Sequence, residues 1–302
     1  MTKLRVCRSL LLSALVMALW RPCGSAAEED RWTSRGHVGE TVWSLDVNPK
    51  NPLTLYAGLW AGKGVFKSSD GGVTWEAVLR YDSFGFLAVE PQDTSVVYTG
   101  GSNGSRDLYR TTNGGISWSK YSEFPTDWVS DLEIDPQNPS VMYAAGASWF
   151  FTSSDGGLSW ESVRTSLDMI VDIALDPQHP QRVYGADTEG VWTTTDGGWT
   201  WDKVCDEGFQ AIAIDPQHAH LWYASYGGYG GIYKSQDGGH AWEEMTQKGS
   251  GGLGANAIAV GALDSSTSIV YIGTDDGVFS ISQSVTTGVC GSSWGGIKAQ
   301  FR

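Results

Sequence analysis

A carboxylate set between hydroxyl residues and a glycine pair can do several kinds of chemistry. SSDGGVTW, Ser68 to Trp75, has that layout. Asp70 within it could act as a general acid, a cation ligand, or an acceptor for the N–H groups of its own turn. Asp127 and Asp168 lie in polar connecting segments and could form the acid pair of a glycosidase. Rings at Trp60, Phe84, Trp128, Trp149, Tyr226 and Tyr229, with Asp107 and Asp187 among them, could stack on sugars or grip a peptide. His218 and His220 form an H-x-H pair with no third ligand nearby, so surface histidines are expected and no metal site. The glycine run in SYGGYGGIY leads into a strand, which excludes a phosphate-cradling loop. No Ser/His/Asp or Cys/His set is recognisable, and no cofactor is implied.

The elements that must hold these residues repeat. SSDGGVTW is followed by TTNGGISW, SSDGGLSW, TTDGGWTW and SQDGGHAW, whose third residues are Asn113, Asp155, Asp196 and Asp237. From Asp70 onward these positions are 43, 42, 41 and 41 residues apart, a period that signals a repeat architecture. Between the boxes runs a second motif, such as SLDVNPKNPLTLYAG (Ser44 to Gly58) and DLEIDPQNPSVMYAAG (Asp131 to Gly146). Each copy reads as a strand, a Pro/Asp/Asn turn and a second strand; a third strand then leads into the box and a fourth starts at its tryptophan. Four short antiparallel strands per repeat make a propeller blade. Six copies of the first three strands meet only five boxes, so Trp32-Thr33 is expected to supply the missing fourth strand of the last blade, ending near Ser282. The expectation is an all-β, six-bladed β-propeller of four-stranded antiparallel blades over residues 28–282.

The boxes resemble the Ser/Thr-x-Asp-x-Gly-x-Thr-Trp pattern of the Asp-box or BNR repeat, found in sialidases, xyloglucanases, the sortilin ectodomain and photosystem-assembly propellers. The resemblance covers residues 32 to 282. It implies the fold, while the box travels across many activities. A sialidase resembling its family would need an arginine cluster and a Phe-Arg-Ile-Pro segment; the segment is absent, and the eight arginines after residue 27 are scattered. In the second box Asn113 replaces the aspartate; an amide still accepts turn hydrogen bonds but cannot be a general acid. Copies spread around a ring cannot converge on one substrate. Asp70, Asn113, Asp155, Asp196 and Asp237, with Trp75, Trp118, Trp160, Trp201 and Trp242, are therefore expected to be architecture.

Chain direction puts the Pro/Asp turns and the boxes on one face. The variable loops and the blade-to-blade connections fall on the other, where a binding site is expected. Residues 1–27 have the basic start, apolar run and small-residue end of a secretory signal peptide. Its removal takes away four positive charges and leaves a formal charge of −18, which disfavours nucleic acid and anionic membranes. Cys205 and Cys290 could then pair in an oxidising compartment. Residues 283–302 leave the repeat, and Trp294, Ile297 and Phe301 share one face of a short helix. The reading is a secreted or periplasmic, monomeric, non-enzymatic propeller that binds an extracellular protein or glycan through its loop-rich face. The alternative is a glycoside hydrolase or lyase acting on an extracellular glycan.

Overall fold

The computed structural model describes residues 4–6, 32–80, 85–100, 104–146, 148–165, 167, 169–228, 230–245 and 254–284. They form six sheets of antiparallel strands, laid down in chain order from inside to outside except that the last blade takes its outermost strand from Thr33–Ser34 and blade 5 gains an outer strand from Leu4–Val6. Blade 1 runs Val42–Val47, Leu55–Leu59, Gly64–Ser68 and Glu76–Leu79. The innermost strands of blades 2 to 6 are Phe86–Val89, Asp131–Ile134, Asp172–Leu175, Ala211–Ile214 and Ala257–Ala262. Each contacts the next, and the sixth returns to the first, so the ring is closed.

The closure is the one expected. Thr33–Ser34 pairs antiparallel with Gly277–Ser284, Thr33 opposite Ser280 and Ser34 opposite Phe279. The Arg35 N–H donates to the Val278 carbonyl at 2.6 Å, and the Arg35 guanidinium to Ser280 Oγ at 2.7 Å. Trp32 is buried in a cluster with Tyr223 and Ile232 of blade 5 and Ile258, Ile272 and Ile281 of blade 6. It fastens the strand from beneath. Leu4–Val6, inside the segment read as a leader, lies against Ala241–Glu243 as a fifth, outermost strand of blade 5, which the sequence reading did not anticipate. Residues 7–31 and 285–302, including Cys290 and the segment expected to form a tail helix, lie outside the described residues. Among those described, no helix is long and apolar enough to cross a membrane.

Core strands are apolar on both faces because each sheet is sandwiched between two others. Leu45 and Val47 of blade 1 pack with Ala259 and Ile269 of blade 6, while Tyr56 and Val65 pack with Leu87 and Val89 of blade 2.

The boxes are turn fasteners. In the first, Asp70 Oδ1 accepts the N–H groups of Val73 and Thr74 at 3.0 and 2.9 Å and the Ser68 hydroxyl at 2.8 Å. Asp70 Oδ2 accepts the Thr74 hydroxyl at 2.6 Å. These donors, the Thr74 hydroxyl foremost, hold the Asp70 carboxyl down at about 2. Gly71 and Gly72 sit at φ of 74° and 86°, the left-handed region an L side chain avoids. The Gly71 N–H donates to the Leu53 carbonyl at 2.8 Å, tying the box to the Pro/Asp turn and placing both on one face. In the second box Asn113 Oδ1 accepts the Ser117 N–H at 2.9 Å, and its Nδ2 donates to Ser117 Oγ at 2.8 Å, where an aspartate oxygen would accept instead. The amide reverses one bond and keeps the turn. Asp70→Asn should thus leave the melting temperature nearly unchanged, whereas Asp196→Ala, which deprives the Thr200 N–H and the Thr200 and Thr194 hydroxyls of their acceptor, should lower it by several degrees in calorimetry.

Candidate functional site

The six innermost strands surround a central channel of about 490 Å³. At the loop-face end it is lined by Trp43, Trp60, Trp128, Met169, Gln210 and Asn256. At the other end stand Pro49, Pro91, Pro136, Pro177 and Pro216, from the Pro/Asp turns.

Three tryptophans form the lip. Trp60, 47% exposed, sits at the end of the second strand of blade 1, where Ala61 turns the chain at φ 61°. Trp43 occupies an irregularity in the inner strand: Val42 pairs with Leu59 and Ser44 with Gly58, leaving Trp43 as an extra residue. Such a bulge re-aims its side chain, and the rings of Trp43 and Trp60 lie 5.1 Å apart. Trp128, 42% exposed, lies in the connection from blade 2 to blade 3. Phe124, fully buried against Phe86 and Trp160, anchors that connection. A Cβ at Gly146 would stand 2.1 Å from the Trp128 carbonyl oxygen, so only glycine lets the connection cross there.

Below the lip the wall carries Asp46, Asp131, Glu133 and Asp172. Three of these carboxylates serve the edge of the next blade. Asp46 accepts the Val89 N–H at 2.7 Å, Asp131 the Ile173 N–H at 3.1 Å, and Asp172 the Ile212 N–H at 2.6 Å. An innermost strand is a sheet edge with unpaired donors, and the preceding blade supplies the acceptors. Burial among the inner strands raises the Asp46 carboxyl to about 7, although two backbone N–H groups favour its anion. The Asp131 and Asp172 carboxyls stand within hydrogen-bonding reach of one another. Burial raises both, and the repulsion of the Asp131 charge adds to it at Asp172, so the pair retains a proton well above the usual carboxylate range. Glu133 is raised by burial and by the charges of Asp131 and Asp46.

The residues singled out in the sequence divide. Trp60 and Trp128 line the channel mouth. Trp149 is exposed at a strand end and pairs with Arg164 rather than lining the channel. Asp127 is exposed beside Trp128 and also lies off the channel wall. Asp107 pairs with Lys120 at 2.8 Å. Asp187, expected as a ligand group, is instead buried in its own turn, accepting the Glu189 and Gly190 N–H groups at 2.7 and 2.8 Å. Tyr226 packs on Phe209 and Tyr233 and donates to Glu207 at 2.5 Å. His218 caps a turn, its Nδ1 3.0 Å from Asp215. Cys205 is buried, its Sγ accepting the Glu207 N–H at 3.3 Å. Phe84, Asp168, Tyr229 and Cys290 lie outside the described residues. Among the described residues no group of three His, Cys, Asp or Glu is arranged to hold a metal ion.

Sequence reasoning missed Trp43 and the channel acids. The signal was present: acids in SLDV, DLEI and DIAL interrupt strands that are otherwise continuously apolar.

The chain is a six-bladed β-propeller whose turns carry Asp-box-type motifs. No family model matches it. Over 187 residues, 48% of this chain, it is 26% identical to the xyloglucanase Xgh74A of Acetivibrio thermocellus, but that match spans only 22% of the relative, so the chain covers about a fifth of the length of that curated protein. Among solved structures it is similar to an ancestral GH74 enzyme, with a TM-score of 0.54 and 21% identity, covering 82% of this chain and 36% of that one. It is similar over nearly the whole of another chain, YCF48 bound to D1 peptide, with a TM-score of 0.54 and 14% identity, covering 86% of this chain and 99% of that one. At these identities the structures speak for the fold.

Proposed function

We propose that this protein is an exported, non-catalytic propeller that binds a segment of another protein at the mouth of its central channel. The observation that carries the reading is the convergence of Trp43, Trp60 and Trp128 over an acid-lined cavity. Half-exposed tryptophans at the rim of a cavity are typical anchors for a partner. The YCF48 propeller, solved bound to a D1 peptide, offers a parallel of the same extent. The basic and apolar layout of residues 1–27 supports export.

A second reading, glycoside hydrolysis, draws on the partial likeness to xyloglucanases and on the Asp131–Asp172 pair. That pair stands within hydrogen-bonding reach, whereas glycosidase acids stand about 5 Å or more apart to flank the bond they cleave. Its oxygens are also engaged by inter-blade N–H groups.

One experiment separates the readings. The purified protein is panned against a displayed peptide library and, in parallel, incubated with xyloglucan and a panel of polysaccharides while reducing ends are counted. We expect selected peptides whose affinity falls about tenfold or more, roughly 1.4 kcal/mol or above, on Trp60→Ala or Trp128→Ala. Both variants should melt near the wild type, because each ring is already about half in water. Sugar release abolished by Asp131→Asn or Asp172→Asn would establish the hydrolase instead.

A further inference from the structure

The channel wall is chemically one-sided. Four carboxyl groups, Asp46, Asp131, Glu133 and Asp172, face a cavity to which no lysine, arginine or histidine contributes among the described residues. Their polar neighbours are backbone N–H groups and one another. The lip above is aromatic, and a tryptophan face attracts a cation. The outer strands show the same preference in this protein. Lys203 Nζ lies 4.7 Å from the Trp192 ring centre, and Arg110 lies 5.0 Å from that of Tyr121.

We propose that the channel takes an extended cationic side chain, a lysine or arginine of the bound segment, with its stem between Trp60 and Trp128 and its charged head among Asp46, Asp131 and Asp172. The inference rests on the peptide-binding reading above and names what that site selects. A cation entering the wall lets Asp46 and the Asp131–Asp172 pair release protons that burial now retains. Binding is therefore expected to tighten as pH rises and to weaken as salt is added.

The test uses the full chain with Nα-acetyl-lysine methylamide and its uncharged isostere, Nα-acetyl-norleucine methylamide. Binding is followed through the indole N–H resonances of Trp43, Trp60 and Trp128. The lysine probe should bind at least about tenfold more tightly than the norleucine probe, which corresponds to roughly 1.4 kcal/mol. Its affinity should rise several-fold between pH 5.5 and pH 8. Asp46→Asn and Asp172→Asn keep an oxygen acceptor for Val89 and Ile212, so they should fold, and each should weaken the lysine probe several-fold. Should either variant unfold, the wild-type pH and probe comparisons decide by themselves. Equal binding of the two probes, or affinity indifferent to pH, overturns the proposal. If a display-selected peptide without lysine or arginine moves the same indole signals while the lysine probe does not, the cationic preference falls and the channel-mouth site stands. If neither moves them, both fall.

Discussion

Trp32→Ala should lower the melting temperature by about 10 °C and leave a protein that aggregates on heating. The indole is buried between blades 5 and 6 against Tyr223, Ile258 and Ile281. Emptying such a site costs about 3–5 kcal/mol, and a domain of this size loses roughly 2–4 °C per kcal/mol. The position adds a second effect. Once Thr33–Ser34 detaches, the long strand Gly277–Ser284 presents an unpaired edge, the usual template for intermolecular pairing. Trp199→Ala is the matched control: that ring is 75% exposed at the tip of the fourth box, and its loss should move the melting point by no more than about 1 °C. Arg35→Pro should resemble Trp32→Ala, because proline cannot donate to the Val278 carbonyl. Differential scanning calorimetry with light scattering reads all three. A Trp32→Ala protein that melts with the wild type would mean that the ring does not depend on its closing strand.

The second large effect concerns pH. The carboxyls of Asp70, Asp155 and Asp196 are held at about 2 by hydroxyl and N–H donors, below their unfolded value. The stability they confer is complete above the unfolded range and is lost as pH falls towards 2. Asp46, raised to about 7 by burial, has the opposite sign. Its protonated form suits the folded channel, so its contribution is complete below about 4 and is lost as pH rises through 7. Glu133 and the Asp131–Asp172 pair, raised for the same reason and by one another's charge, push in the same direction. The melting temperature should therefore peak in mildly acidic solution. A three-unit shift is worth at most about 4 kcal/mol, and water in the channel screens part of it, so we expect a fall of about 5 °C from pH 4.5 to pH 8.5. Asp46→Asn should flatten that slope. A melting point that climbs steadily from pH 4.5 to 8.5 would show that the channel carboxyls are already compensated.

The fold was legible because it rests on short-range chemistry repeated at a fixed period. Ser68, Asp70, Gly72 and Trp75 are close in sequence and in space, so their spacing carries the whole turn. The closing strand was legible by subtraction, from a tryptophan that lacked a box before it. The site was less so. Trp60 and Trp128 could be picked out as large rings in loops, yet the loop acids chosen with them turned out dispersed or already engaged, as Asp187 shows. The acids that do converge lie on three blades, separated by 85 and 41 positions from Asp46 to Asp131 to Asp172. Only the curvature of the ring brings them together, and no local pattern records a curvature. Trp43 was hidden for a different reason. Its direction depends on a one-residue slip between Val42 and Ser44, which alternation rules do not foresee.

The pairing of Thr33 with Ser280 joins positions 247 apart, and it has a consequence in time. A ribosome releases Thr33–Ser34 long before Gly277–Ser284, so the circle stands incomplete until the sixth blade has been made. Each finished hairpin can set locally, but the final lock waits for a strand that is still being made. A chain that must be threaded through a narrow pore before it sets would gain from that delay.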